Sequence, residues 1–383
     1  MSRSLSPKGA TVARGLLAPI VCGALLLGAA CRGDRTSPSA TEPGWPRVAP
    51  AEAGLDAGRL DAIAARAKKG KSNCLAVVRA GKMAGEWYFR GTGPDTAQNI
   101  FSATKSVTST LVGIAQDDGD LQVTDSASKW IPEWRDTSAR AVTVRDLLSM
   151  DSGREWSTRT DYVRLLRARD RTDYAIGLEQ QRAPGQVWAY NNAAVQTLQR
   201  VLRQATGQDV ATYARTRLFE PLGMARTTMT TDRAGNAQMF MGVRSTCRDL
   251  ARFGTLLLDR GRWGGRQVVS ARWVQEATGH SSTRLNAAYG YLWWLNRPGT
   301  VAGPLSATDL DAARRPATVQ GPLVHGAPAS MFWALGLGNQ LVQVDPGSRT
   351  VVVRLGIAEP RPEPPTFGPA EASKVVTEAV TTN

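Results

Sequence analysis

The chain is poor in the residue types that most often carry catalysis. Its 383 residues include two histidines, His280 and His325, and four cysteines. No CxxC pair and no His/Cys cluster occurs, which excludes a zinc site of ordinary ligand spacing. No GxSxG turn is present, so a Ser–His–Asp arrangement on an α/β-hydrolase sheet is excluded, and both histidines read as structural or surface residues. No apolar run reaches the roughly 20 residues of a membrane span. The net charge of +14 comes without a zinc-finger spacing, a basic helix with heptads or a long basic run. Nucleic acid is therefore not an expected partner. The scattered arginines read as a solvated cationic face, or as attraction to anionic cell-surface polymers or lipid headgroups.

What is present is an ordinary globular composition, 42% hydrophobic and 21% charged, long enough for one large core or two interlocked lobes. Arg3, Lys8 and Arg14 precede the apolar stretch "GLLAPIVCGALLLGAAC", which reads as an export signal over residues 1–31. Gly28, Ala29 and Ala30 before Cys31 resemble the lipobox of bacterial lipoproteins, with Gly28 where leucine is usual. Lipidation of Cys31, simple cleavage and an uncleaved anchor are the alternatives; the first would hold the protein on a membrane surface. The polar, Pro/Ser-rich segment 32–46 reads as a disordered tether, and 47–383 as the folded domain. Cys74 and Cys247 are the thiols of that domain, either paired or separately buried.

The pattern along the folded part places strands at both ends and helices between them. "LDAGRLDAIAARAKKG" predicts a helix ending at Gly70, and "CLAVVRAGKMAGEWYFRG" a hairpin about Ala80-Gly81-Lys82. A helix opens at Ser102 and runs to about Asp118. A mostly helical lobe spans about 119–280. Strands return at "YGYLWWLN" and in "SMFWALGLGNQLVQVDPGSRTVVVRLG", and "PAEASKVVTEAV" closes the chain as a helix. The expected class is α+β: one antiparallel sheet from both chain ends, flanking helices, an inserted helical lobe, and a cleft where lobe meets sheet.

A hydroxyl and an amine stand one helical turn apart in "FSATKSV", at Ser102 and Lys105. A serine needs a base, and a lysine desolvated in a cleft can be neutral near neutral pH. The first turn of a helix also favours negative charge. Tyr190 and Asn192 follow in "PGQVWAYNNAAV". A phenol hydrogen-bonded to a lysine can relay a proton, and an amide can hold a substrate carbonyl. Read alone, Tyr190 is equally a core aromatic and Asn192 a helix N-cap. Trp156, Trp188, Trp293, Trp294 and Trp333 read as core or as the lining of an apolar pocket.

In their order, "FSATKSVTS", "PGQVWAYNN", "LFEPLGMARTTM", "STCRDLARFGTLLLDRG" and "MFWALGLGNQLVQVDP" resemble the serine β-lactamase-related family, which includes class C and penicillin-binding-protein-like hydrolases. Within it they are most similar to 6-aminohexanoate-dimer-hydrolase-like proteins and esterases. The resemblance covers roughly residues 45–380 and implies the β-lactamase/transpeptidase-like fold. It implies an acyl-enzyme on Ser102, with Lys105 as activating partner, Tyr190 as general base and acid, and Asn192 as substrate contact. It places the oxyanion between the N–H groups of Ser102 and Leu337, the latter following Gly336. Tyr162 resembles a second tyrosine of the amide-hydrolysing members. No metal or organic cofactor is implied. The third motif starts with Ala334 where many relatives carry Lys or His, which favours a neutral ester or linear amide substrate. The alternatives are a β-lactamase or DD-peptidase acting on cell-wall peptides, and a catalytically silent surface-binding protein.

Overall fold

The computed structural model describes residues 45–309, 318–359 and 366–381. The export segment, Cys31 and most of the expected tether lie outside the described residues. Trp45 and Pro46, assigned to the tether by composition, are packed instead. Trp45 donates to Gly81 O at 3.1 Å and meets Trp263 edge-on, and Pro46 O accepts from Met83 N. An aromatic ring at the end of a polar stretch gave the chain something to bury.

The first helix, α1 (Ala57–Lys69), is capped by Asp56, which accepts from Arg59 N, and buries Leu60, Ile63, Ala64 and Ala67. The hairpin β1 (Ser72–Arg79) and β2 (Lys82–Tyr88) turns through Ala80 and Gly81, both at positive φ, the geometry that suits a two-residue hairpin loop. Near the other end of the chain come β3 (Trp294–Leu295), β4 (Phe332–Gly336), β5 (Gln340–Asp345) and β6 (Thr350–Gly356). The six form one antiparallel sheet in the order β2-β1-β6-β5-β4-β3, so both chain ends build it. "YGYLWWLN" supplies two strand residues rather than eight. Leu292 sits at φ 60°, a left-handed turn that breaks the run before Trp294.

Strand alternation sorts the core into two layers. Leu75, Val77, Leu341 and Val352 face α1 and the closing helix α5 (Pro369–Lys374), which continues in a π-type turn over Val375–Ala379. Ala76, Val78, Val342, Val344, Val351 and Val353 face the helical lobe. On that side lie α2 (Thr104–Asp117), α3 (Asn192–Thr206) and α4 (Cys247–Leu258). Cys74 on β1 is disulfide-bonded to Cys247, the first residue of α4, across 173 positions of sequence. This resolves the two readings of those thiols in favour of pairing and ties the N-terminal hairpin to the lobe.

Between about 119 and 280 the chain is α3 and α4 joined by short helices and turns, with three-residue strands at Val187–Ala189 and Val243–Ser245. α2 runs through the middle of it, with every residue from Thr104 to Ala115 buried. A central helix so rich in Ser and Thr requires partners for its hydroxyls. Thr108 Oγ1 donates to Met239 O, Ser106 Oγ to Leu292 O, and Thr104 Oγ1 accepts from Val243 N. These bonds fix the 239–243 segment and the Leu292 turn against the helix that carries the candidate site.

Candidate active site

Ser102 lies in a 3₁₀ turn, Phe101–Ala103, which runs directly into α2. The turn is held on entry. Ile100 N donates to Val243 O, and Phe101 N to Asn99 Oδ1 at 2.6 Å. Phe101 is at φ 49°, a left-handed conformation costly for an aromatic residue and of the kind that gathers at functional sites. Ser102 itself is half-buried and open to a reactant.

Lys105, one turn on, is 1% exposed. Its Nζ lies 3.0 Å from Ser102 Oγ and donates to Phe240 O at 3.1 Å. It also stands 4.5 Å from the centroid of the Tyr190 ring and 5.6 Å from that of Phe240. Burial disfavours the ammonium and pulls the pKa down to about 7, against a smaller opposing pull from Asp161. The amine is thus a usable base near neutral pH.

Tyr190 follows the strand Val187–Ala189, and its ring stacks on Trp294 with Tyr289 edge-on. Burial pushes its phenol far above the usual range, partly offset by a hydrogen bond with Ser102. The phenol therefore stays protonated. The lysine amine lies over the ring face of Tyr190, and Ser102 acts on the phenol. Tyr190 is suited to pass on a proton as a neutral hydroxyl, while Lys105 is the group able to take one first.

Asn192 is the first residue of α3, and its neighbour Asn191 is the N-cap, accepting from Ala194 N at 2.8 Å. The capping role open to Asn192 thus falls to Asn191. Asn192 Oδ1 is buried and has no hydrogen-bond partner among the described residues, so it offers an acceptor. Its amide faces Asp161 and Tyr162. The Tyr162 hydroxyl donates to Pro304 O at 3.2 Å, and Tyr162 also acts electrostatically on Tyr190.

The last contributor is the end of β4. An ideal Cβ on Gly336 would stand 2.1 Å from Ile100 O and 3.2 Å from Ala103 N. Only glycine lets the strand press on the Ser102 turn this closely. Leu337, next in the chain, is exposed. Ala334 is buried in β4, so no cationic side chain is offered at its position. Trp188, Trp293, Trp294 and Trp333 are core residues. Trp156 is half-buried and donates from Nε1 to Tyr190 O at 3.0 Å, holding the tyrosine's backbone.

Two participants were not found from sequence. Phe240 O receives the lysine amine, and Asp161, wholly buried, accepts from Asn192 N and Ala193 N. Neither carries a motif. A carbonyl has no sequence signature, and Asp161 in "RTDYVRLL" reads as one polar residue of a charged loop. A separate cleft of about 770 Å³, lined by Arg260, Arg262, Trp263 and Arg349 among others, contains none of the candidate residues. Among the described residues no group of three or more His, Cys, Asp or Glu is placed to hold a metal ion.

An antiparallel sheet built from both chain ends, an inserted helical lobe, and a Ser-x-x-Lys turn where they meet define a β-lactamase/transpeptidase-like serine hydrolase. The chain belongs to the Beta-lactamase family, which it matches over residues 60–369. It is 27% identical over 283 residues to the 6-aminohexanoate-dimer hydrolase of Paenarthrobacter ureafaciens, covering 64% of this chain and 72% of that one. A candidate 6-aminohexanoate-dimer hydrolase from Bacillus anthracis has the same fold with a TM-score of 0.62 at 22% identity, covering 80% of this chain and 77% of that one. A penicillin-binding protein homologue from Caulobacter crescentus has a TM-score of 0.60 at 17% identity, covering 84% and 97%. This chain is accordingly a serine hydrolase of amide, ester or β-lactam-like bonds, and the silent-binder alternative is set aside.

Proposed function

We propose that the protein cleaves an ester or a linear amide through an acyl-enzyme on Ser102. The observation that carries this reading is the 3.0 Å contact between Ser102 Oγ and a fully buried Lys105 amine whose pKa is drawn to about 7. Neutral Lys105 takes the hydroxyl proton as Oγ attacks the carbonyl carbon. The oxyanion is received by the N–H groups of Ser102 and Leu337, which the close approach of Gly336 supports. The leaving amine or alcohol collects a proton through the Tyr190 hydroxyl, with Asn192 Oδ1 free to accept from a substrate N–H. Water then attacks the acyl carbonyl along the same route in reverse. A neutral substrate is favoured over a β-lactam or a D-Ala-D-Ala peptide because Ala334 offers no charge to a substrate carboxylate.

The test is a fluorophosphonate probe and a substrate panel. The wild type should be labelled and Ser102→Ala spared. Small esters and linear amides should turn over while a chromogenic cephalosporin is hydrolysed at least about 100-fold more slowly, the margin that one missing charged contact can set. Cephalosporin turnover equal to that of the esters would instead assign the protein to cell-wall peptide chemistry.

We also infer that the protein is exported and held at a membrane surface through Cys31. The apolar segment before Cys31 and the Cys74–Cys247 disulfide, a bond that persists in oxidising compartments, support this. The chain should partition into detergent and Cys31→Ser should not; equal partitioning of the two would remove the lipid anchor.

A further inference from the structure

We propose that Asp161 is a positioning residue for the Ser102 chemistry: its buried carboxylate clamps the Tyr190–Asn192 junction at the head of α3 and acts electrostatically on the Lys105 amine. The inference rests on the reading of Lys105 as base.

The clamp is visible in the hydrogen bonds. Asp161 Oδ2 accepts from Asn192 N at 2.6 Å and Oδ1 from Ala193 N at 3.0 Å, while Asn191 Oδ1 takes Ala194 N at 2.8 Å. The first three N–H groups of a 15-residue helix are thus satisfied by two side chains, and one of them comes from a different segment. That segment is a π-type turn, Thr160–Arg164. Tyr190 lies two residues before Asn192, so the carboxylate fixes the backbone immediately behind the phenol. Trp156 Nε1 on Tyr190 O holds the same junction from the other side.

The carboxylate is fully buried, and no salt bridge to it is present among the described residues. Both carboxylate oxygens are used by N–H donors, so an amide, with a single acceptor oxygen, could satisfy only one of them. The acid acts on Lys105, the one cation that opposes its burial. The other titratable groups around it are Tyr162 on its own segment, Tyr190 ahead of α3, and Tyr174 on the short helix Arg171–Ile176. Burial raises all three, so they stay protonated near neutral pH. Glu155 and Arg164 act on Tyr174, and the cations nearest the carboxylate in sequence, Arg159 and Arg164, are both exposed to solvent. Burial raises the carboxyl itself to about 6, so at the lysine's titration near 7 it is mostly the anion that acts on the amine. It raises the amine's proton affinity against the larger effect of burial. Removing it should leave Lys105 neutral at lower pH.

The experiment is the pH profile of kcat/KM for the full chain and for Asp161→Asn, with ester substrate, alongside Asp161→Glu. The wild type should show an acidic limb near the lysine's titration. In Asp161→Asn that limb should move to lower pH by at least about half a unit, with kcat reduced about 10-fold or more from the loosened junction. Asp161→Glu keeps the charge but displaces it, so it should lose kcat with its limb in place. A cap without electrostatic reach would lower kcat in Asp161→Asn and leave the limb where it was, which overturns the proposal. If Asp161→Asn does not fold, unchanged kcat in Asp161→Glu does the same. A wild type without an acidic limb would overturn the Lys105 reading itself, a separate and distinguishable failure.

Discussion

Replacing Lys105 by methionine should lower kcat by about 10²- to 10⁴-fold, the range in which a positioned proton-transfer group contributes. Methionine fills most of the volume of the lysine stem, so the loss would report the amine rather than a cavity. The amine has no obvious replacement. Its other hydrogen-bonding partner among the described residues, Phe240 O, is a backbone carbonyl, and the Tyr190 phenol beside Ser102 is kept protonated by burial, so neither can take the hydroxyl proton and retain it at neutral pH. His280 and His325 are not among the contacts of Ser102 or Lys105. Activity of the wild type should rise as pH passes through about 7, because the proposed base is the deprotonated amine.

The same burial has a signature in stability, which changes with pH in the same direction as the activity. A lysine whose folded pKa is depressed is protonated in both states below about pH 7, and there its buried charge is a constant cost. Between about pH 7 and its unfolded value near 10.4 the unfolded chain binds the proton and the folded one does not. Stability from this group therefore rises with pH across that window. Lys105→Met lacks the titration, so its stability relative to wild type should decline from pH 7 to pH 10. Parallel denaturant curves at the two pH values measure it. A difference independent of pH would mean that the amine is not desolvated as the structure has it.

The parts of this site that were legible in the sequence are those tied to a short period or to segment order. Ser102 and Lys105 share a helix face, so their spacing alone pairs them. Tyr190 and Asn192 entered through a series of segments in one order, since 88 positions separate Tyr190 from Ser102 and no periodicity reaches that far. The sheet was legible because Leu75, Val77 and Val352 alternate with residues facing the lobe, a pattern of period two. The long aromatic strand at 289–296 was misread for the opposite reason. Strand propensity in Tyr, Leu and Trp cannot see that Leu292 turns at positive φ to give its carbonyl to Ser106. Asp161 and Phe240 were invisible because they reach the site through tertiary packing of loops. Their chemistry depends on burial and direction, which a linear pattern does not encode.

Gly336→Ala should be the most damaging single-methyl change outside the proton-transfer groups. The new Cβ would stand 2.1 Å from Ile100 O and 3.2 Å from Ala103 N, and both are backbone atoms of the turn that carries Ser102. A flexible side chain could swing aside, but this turn cannot. Ile100 N is bonded to Val243 O, Thr104 Oγ1 accepts from Val243 N, and Phe101 already occupies a left-handed conformation. On the other side, β4 is fixed by its pairing with β5 from Phe332–Val344 to Gly336–Gln340. Strand and turn must therefore separate. Separation moves the Leu337 N–H relative to the Ser102 N–H, and paired donors are useful only where both reach one oxygen. A loss of about 10²- to 10³-fold in kcat is expected, as for removal of one oxyanion donor, with a fall in stability of about 1–3 kcal/mol from overpacking. KM for a small ester should change far less than kcat, since the donors bind charge that develops only in the transition state. Burst kinetics with an activated ester separate the steps: acylation should slow while the burst amplitude still reports one serine per chain. If Gly336→Ala acylated at the wild-type rate, the strand end could not be part of the oxyanion site, and the second donor would have to be sought elsewhere around the Ser102 turn.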